Sequence, residues 1–433
     1  MRGGVSGGPA GRRREWSARD PAAERTGMGN RGGDAAPRPR RVVLDTDYGS
    51  YLDDTFALQL LLSLDVEVLA VVTACGDTAA RAKIVQEHLK FMGRADVPVG
   101  AGVSKESCEP FTPALAGWEA AGSGGDGGGA GPIHADGVAL LADVLTASPE
   151  PVVVVSVGPF TNLEALAARH PGITERHELI VMGGSIAPGI RLPWGPATPL
   201  ADYNARSDPG AFAAALRRSE WASPPRLAAV GSTHELRIGG KEWARLVQAR
   251  TEHRGAALML EMYGYWMVQC KADAKFRCQA EANKLDEVKE SPTLFDLLPV
   301  GLLDGDAEPQ GLAGDLYRVM EFAADGQLFV KGSRNGSAGG AEGEGELLIY
   351  TGWESGAHRD AFLADAVTGI IGPPVDAGDP VSTFGLESLV VLACVAASVI
   401  GGFVIAGCQR ARIRRHEQAL RSDTYDQIDM LNV

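Results

Sequence analysis

An open α/β sheet, mostly parallel and covered by helices on both faces, is the fold that this chain of 433 residues predicts. Three observations predict it. Short apolar, β-branched runs recur along the chain, with helical stretches between them. The runs are nearly continuous rather than alternating, as in strands buried on both faces. A strand–loop–helix unit opens the ordered part and carries four acidic residues at its mouth, where open sheets bind ligands.

The elements follow in order. Val42-Val43-Leu44 leads into Asp45-Thr46-Asp47-Tyr48-Gly49-Ser50-Tyr51-Leu52-Asp53-Asp54, and Thr55–Leu62 reads as a helix. Val66–Thr73 is a strand broken only by Glu67, and Ala79–Met92 a helix. Val138–Ala147 is the next helix and Pro151–Val157 the next strand. Asn162–Arg169 is helical, Leu179–Met182 a short strand, Pro209–Arg218 a helix and Leu227–Val230 another short strand. This βαβ alternation runs from 41 to about 372. The glycine run Gly122–Gly131 and the Gly/Glu/Ala-rich Asn335–Glu346 read as surface insertions.

Both ends differ from this core. Residues 1–40 are rich in Gly, Arg, Pro and Ala without apolar periodicity and read as a disordered leader. Residues 373–387 form a linker, opening on the Pro/Gly-rich Gly372–Pro380. Residues 388–408 contain the uncharged run Leu389–Gly407, which at about 1.5 Å per residue nearly spans a hydrocarbon core of roughly 30 Å. We therefore expect one C-terminal transmembrane helix followed by a basic tail, 409–433. Arg410, Arg412, Arg414 and Arg415 mark its cytoplasmic side. Tyr425-Asp426-Gln427-Ile428 fits the tyrosine-based pattern that sorting adaptors read. A cytoplasmic tail puts the large domain in the lumen or outside the cell, where the sequon Asn335-Gly336-Ser337 is a glycosylation site. No secretory signal lies in 1–40. Lumenal placement thus requires the span to act alone as a reverse anchor, or a different start; the opposite topology leaves the domain in the cytosol.

Charge and cysteine usage exclude several classes. A net charge of −14 argues against nucleic-acid binding, which needs a basic face. Cys75, Cys108, Cys270, Cys278, Cys394 and Cys408 show no zinc spacing. Cys270 and Cys278 are a possible pair in an oxidising compartment; mostly free or buried thiols are expected. No GxGxxG follows the first strand, which removes a dinucleotide-dependent oxidoreductase.

Asp45, Asp47, Asp53 and Asp54 crowd together at a cost that a hard, oxygen-seeking cation such as Ca²⁺ would relieve. Five segments then resemble, in order, those of the inosine–uridine-preferring nucleoside hydrolase family. The DTDxGxxxDD stretch at 45–54 resembles its longer N-terminal signature. Val155–Asn162 resembles its GPLTN segment, Val181-Met182-Gly183-Gly184 its MGG segment, and Ala201-Asp202-Tyr203-Asn204 with Asp208-Pro209 its AEFN…DP segment. Thr293-Leu294-Phe295-Asp296 resembles its LHD segment.

The resemblance implies a Rossmann-like nucleoside hydrolase fold and Ca²⁺-dependent hydrolysis of a ribonucleoside to free base and ribose. It implies that Asp47, Asp54, Asp296 and the carbonyl of Val157 hold the metal, with Asp47 also deprotonating the attacking water. It implies ribose or base contacts from Asp53, Asp77, His134, Met182, Asp202 and Asn204. A homo-oligomer is carried over as an expectation. Phe295 departs from the family by standing where a histidine often protonates the leaving base, and Pro196 where an asparagine often contacts the ribose. Trp118, Trp194, Tyr263 and Trp266 are candidate stackers for the base. The alternative reading is a nucleoside-binding membrane receptor, or pseudoenzyme, that retains the pocket without turnover.

Overall fold

A computed structural model describes residues 39–106, 108, 111–119, 131–186, 202–217, 221–273, 275–276, 278–285, 289–304, 308–323, 327–331 and 346–374. The leader up to 38, the transmembrane and adaptor expectations at 388–408 and Tyr425, nearly all of the linker, the sequon at Asn335, Pro196, Trp194 and most of both insertions lie outside these residues. Among the described residues no helix is long and apolar enough to cross a membrane.

The described strands are β1 (Arg40–Thr46), β2 (Val66–Thr73), β3 (Val99–Ala101), β4 (Val152–Ser156), β5 (Glu178–Met182), β6 (Arg226–Ala228), β7 (Leu312–Phe322), β8 (Leu328–Lys331) and β9 (Glu346–Trp353). They form one sheet in the order β3-β2-β1-β4-β5-β6-β9-β7-β8. From β3 to β9 every neighbouring pair is parallel. β7 runs antiparallel to β9 and to β8. The parallel core agrees with the sequence reading; the antiparallel edge does not appear in it.

Valine runs make the central strands because each face has a helical layer to bury them. Val42 and Leu44 of β1 and Val153 and Val155 of β4 join one apolar cluster. Val43, Val152 and Val154 join the other. Successive side chains point to opposite faces, so an unbroken apolar run is what two covered faces demand.

The first cluster is closed by α1 (Asp53–Leu61), α2 (Thr78–Phe91), α8 (Gly240–Ala249), α9 (Arg254–Ala272), α11 (Leu297–Gly301) and α12 (Gly356–Ile371). The second is closed by α3 (Gly137–Ala147), α4 (Thr161–Arg169) and α6 (Pro209–Arg217). Short helices α5 (Tyr203–Ser207), α7 (Val230–Thr233) and α10 (Gln279–Ala282) complete the described set.

The chain winds outward from β1 in one direction to β2 and β3, and in the other to β4, β5 and β6. The carboxyl ends of β1 and β4 therefore flank the crevice at which such sheets bind ligands. The acidic loop leaves β1 at this point.

Two disulfides correct the expectation of mostly free thiols. Cys75 pairs with Cys108 at a Cα–Cα separation of 5.6 Å, and Cys270 with Cys278 at 5.5 Å. The first pairing links residues 33 apart in sequence, which spacing alone could not reveal. By loop-closure entropy it should contribute about 3–4 kcal/mol, somewhat more than the pair separated by 8 residues. Denaturant melts of Cys75→Ser/Cys108→Ser protein against wild type measure the difference, and equal midpoints would refute it.

Candidate active site

Three elements deliver the acidic groups. β1 ends at Thr46 and hands over to Asp47. α1 begins at Asp53, which places Asp53 and Asp54 in its first turn, where the helix dipole favours negative charge. Asp296 stands at the start of α11 and makes no capping hydrogen bond there.

Asp53, Asp54 and Asp296 each offer a carboxylate oxygen, and these oxygens lie within 4.8 Å of one another. All three side chains are buried. Burial first, then mutual repulsion together with that of Asp47, pushes the carboxyls of Asp54 and Asp296 well above the usual range. Asp53 is raised well above it too, by burial, then by Asp47 and by Glu281. Asp47 adjoins the group. Its carboxyl is pushed up to about 6 by burial, against the attraction of Arg81. The tight trio thus contains Asp53 in the place where Asp47 was expected, with Asp47 beside it.

The other side of the crevice comes from β4 and β5. A Cβ at Gly158 would come 2.7 Å from the backbone N of Asp47, so only glycine lets the loop after β4 approach this closely. That approach carries the carbonyl of Val157 to the mouth of β1, and the Val157 N–H donates to the carbonyl of Asp45 at 2.8 Å. Asn204 donates through Nδ2 to the Val157 carbonyl at 2.7 Å and lies 3.6 Å from Met182 Sδ. Asp202 caps α5 through the N–H of Ala205 at 2.7 Å, and burial raises its carboxyl to about 6. Its charge is felt by both Asp47 and Asp296. Asp202, Asn204, Met182 and Val157 therefore lie on this side of the crevice, with Asp202 near enough for its charge to act on Asp296.

Asp45 lies beneath the site. It accepts Ser156 Oγ and Asn162 Nδ2, each at 2.7 Å, while Asn162 also donates to the carbonyl of Thr73 at 3.1 Å. One buried carboxylate thus ties the ends of β1, β2 and β4 together.

Asp77 and His134 have other described contacts. Asp77 accepts the N–H of Ala80 at 2.9 Å as the cap of α2. His134 bridges β3 through its backbone, and its exposed side chain borders a surface groove with Gln86 and Pro132. Neither is among the groups that perturb the trio. Trp118, Tyr263 and Trp266 are core residues: Trp266 and Tyr263 are 0% and 1% exposed, and Trp118 is 3% exposed. They do not serve as stackers. Phe295 is half-buried against the first cluster.

Two residues escaped sequence reasoning. Arg81 is 0% exposed. It donates through Nε to the carbonyl of Cys75 at 2.7 Å, and through Nη1 to the carbonyls of Tyr48, at 2.8 Å, and Asp47. On α2 it reads as one more helical cation. Glu281 is 2% exposed, and burial raises its carboxyl to about 7. It sits in the polar stretch Gln279-Ala280-Glu281, where no sequence signal marks it.

The raised carboxyls predict how the metal-free protein responds to pH. A folded pKa above the unfolded value stabilises the protein below the unfolded value, and that stability is lost as the pH rises through the folded value. In the window from about pH 6.5 to 8 Glu281, raised to about 7, is still losing its stabilising contribution, and the trio, raised well above the usual range, act in the same direction. His88 and His177, lowered to about 3 and 4, stay neutral throughout it. Chelator-treated protein should melt several degrees lower at the alkaline end, at ~1.4 kcal/mol per group per pH unit before relaxation. A divalent cation should restore most at that end, because metal competes with protons. A melting temperature that rises across this window in chelator would refute the electrostatic account.

Fold and site together define an α/β protein with a buried carboxylate cluster suited to a hard cation, set at the topological switch point of a mostly parallel sheet. Residues 42–335 match the family model "Inosine-uridine preferring nucleoside hydrolase", and the chain belongs to that family.

Among relatives, a pyrimidine-specific ribonucleoside hydrolase RihA of Salmonella typhimurium is 31% identical over 206 residues, which is 46% of this chain and 62% of that protein. A protein of the same description from Shewanella woodyi is 31% identical over 219 residues, 48% of this chain and 65% of its own length. The chain thus spans less than two thirds of these relatives. Among solved structures, the plant nucleoside hydrolase PpNRh1 superposes with a TM-score of 0.59 at 19% identity, over 77% of this chain and 100% of that one. A purine-preferring ribonucleoside hydrolase from Gardnerella vaginalis gives 0.55 at 16% identity, over 76% and 99%. At these identities the superpositions speak for the fold.

Proposed function

We propose that this protein hydrolyses the N-glycosidic bond of a ribonucleoside to free base and ribose, with Ca²⁺ as its cofactor. The observation that carries the reading is the buried trio of carboxylates, with Asp47 beside it, at the crevice between β1 and β4. An uncompensated group of this kind is costly, and a hard cation with oxygen ligands relieves it.

Asp54 and Asp296, with Asp47 and the Val157 carbonyl, would hold the ion; that carbonyl keeps a second lone pair beside the Asn204 hydrogen bond. The ion, when bound, neutralises the carboxylates and acidifies the attacking water. Asp47 takes the proton, a task suited to a carboxyl raised to about 6. Asp53 accepts hydrogen bonds from ribose hydroxyls. Asp202 and Asn204 orient the sugar from the opposite side, above Met182. Glycosidic cleavage places positive charge on the ribose, and the surrounding carboxylates stabilise it. Phe295 has no proton to give, so the base departs as its anion and is protonated by solvent.

Full-length protein incubated with uridine, inosine and adenosine should release reducing sugar, and Asp47→Ala protein should lose about 10²–10⁴-fold in kcat. The relatives described as pyrimidine-specific put uridine first. Nucleoside binding without sugar release by the wild type would replace the enzyme with the receptor.

We further place this domain, 41–372, outside the cytosol, tethered through 373–387 to a membrane span at 388–408, with the tail 409–433 and its Tyr425 motif inside. The apolar run Leu389–Gly407 supports the span. The two disulfides support an oxidising compartment, where such bonds form and persist. Enzymatic removal of an N-glycan from Asn335 should shift the mobility of the protein made in secretory-competent cells; an unmodified Asn335 would contradict the placement.

A further inference from the structure

Asp296 reaches the site at the end of an extended segment, and what holds that segment is visible in the hydrogen bonds around it. On one side Ser291 N–H donates to the carbonyl of Ile238 at 2.8 Å, Ile238 N–H donates to Ser291 Oγ at 2.9 Å, and Leu294 N–H donates to the carbonyl of Leu236 at 2.8 Å. Thr293 is held by a side chain instead: its N–H donates to Glu281 Oε1 at 2.8 Å. Glu281 belongs to α10, whose preceding residue, Cys278, is tied to the end of α9 by the disulfide to Cys270. The carboxylate is thus fixed on a short helix that is itself fastened. Its charge acts on Asp53, and the charges of Arg237 and Glu290 act on it.

We infer that Glu281 is a positioning residue: by holding Thr293 it sets where Asp296 stands relative to Asp53 and Asp54, and so sets the affinity of the site for a divalent cation. The inference rests on the metal site proposed above. Its physical basis is that ligands closing on one ion tolerate little displacement, and that groups orienting a ligand typically contribute about 10–100-fold in metal affinity. The hydrogen-bond acceptor matters here more than the charge, because the partner is a neutral backbone N–H.

The substitutions Glu281→Gln and Glu281→Ala separate the two roles. Gln keeps an amide oxygen in place of Oε1; Ala removes the acceptor. Titration of full-length, chelator-treated protein with Ca²⁺ by calorimetry should show Glu281→Gln within about threefold of wild type and Glu281→Ala at least about tenfold weaker. Uridine turnover measured against Ca²⁺ concentration should show the same ordering, with the Ala variant recovering activity at high Ca²⁺. Should Glu281→Ala fail to fold, Glu281→Asp carries the test, since it keeps the charge but shortens the reach by one methylene and should also weaken Ca²⁺. Unchanged affinity in the folded Ala variant, or in Asp, overturns the inference, and so does a Gln variant as weak as Ala. Wild-type protein that takes up no Ca²⁺ overturns the metal reading itself, and is told apart from the other outcomes by the wild-type titration alone.

Discussion

Asp296→Asn should make the metal-free protein more stable while abolishing the Ca²⁺ response and the nucleosidase activity proposed above. The two halves of this result have one cause. Asp296 is buried, and desolvation together with Asp53, Asp54, Asp47 and Asp202 resists its ionisation. Asparagine has nearly the same shape and no charge, so at alkaline pH the cost of ionising a fourth carboxylate beside Asp47, Asp53 and Asp54 disappears. With Ca²⁺ the sign reverses, because the same charge is what the cation would bind. Loss of a direct ligand should weaken Ca²⁺ by at least about a hundredfold, the upper end of what indirect partners contribute. Melting curves in chelator and in Ca²⁺, with uridine turnover, test both halves. An apo melting temperature lower than wild type would show that Asp296 is not under repulsion, and an undiminished Ca²⁺ response would remove it from the site.

Arg81→Met should destabilise the protein by about 3 kcal/mol and depress activity in whatever folded protein remains. The guanidinium is fully buried and supplies donors to the carbonyls of Cys75, Asp47 and Tyr48. Methionine fills a similar volume and leaves those acceptors without a donor, each costing about 1–3 kcal/mol if no water replaces it. The charge also matters. Arg81 lowers the carboxyls of Asp47 and Asp54, so its loss should raise the pH at which Asp47, the base proposed above, ionises. The acidic limb of the kcat profile should therefore move towards higher pH. A merely structural arginine would lower the yield of folded protein and leave that limb in place. Arg81→Lys, which keeps the charge but not the fork of donors, should preserve the limb better than it preserves stability.

The loop that Arg81 supports has a second anchor. Tyr48 donates its hydroxyl to His88 Nδ1 at 2.6 Å, and His88 Nε2 lies 3.1 Å from Gln59 Oε1. The amide oxygen can only accept, so Nε2 carries the proton and the imidazole is neutral, in agreement with a pKa lowered by burial to about 3. Gln59 continues to the carbonyl of Ile370 at the end of α12 at 3.2 Å. The acidic loop is thus pinned to α12 through a buried, uncharged relay.

Much of this was legible in the sequence, for reasons that differ from element to element. The valine runs of β1, β2 and β4 and the helices at 78–91, 137–147 and 161–169 could be read from short-range pattern, because a strand covered on both faces and an amphipathic helix leave local signatures. The antiparallel β7 and β8 could not, since an edge hairpin has no crossover helix to mark it. The tryptophans at 118 and 266 show the limit of residue-type reasoning: an aromatic side chain serves a core as well as a ligand, and only burial decides between them.

By itself the sequence determined the residue types that chemistry needs and their order along the chain: a carboxylate loop after the first strand, the Val155–Asn162 segment, and a distant aspartate at 296. Only the tertiary structure decided that Asp53 joins Asp54 and Asp296 in the tight group, that Asp77 is occupied in capping α2, that Cys75 pairs with Cys108, and that Arg81 and Glu281 are buried beneath the site. The physical reason is range. Helix and strand patterns reflect neighbours a few positions away, whereas desolvation, charge repulsion and the partner of a buried polar atom depend on groups that only folding brings within a few ångströms.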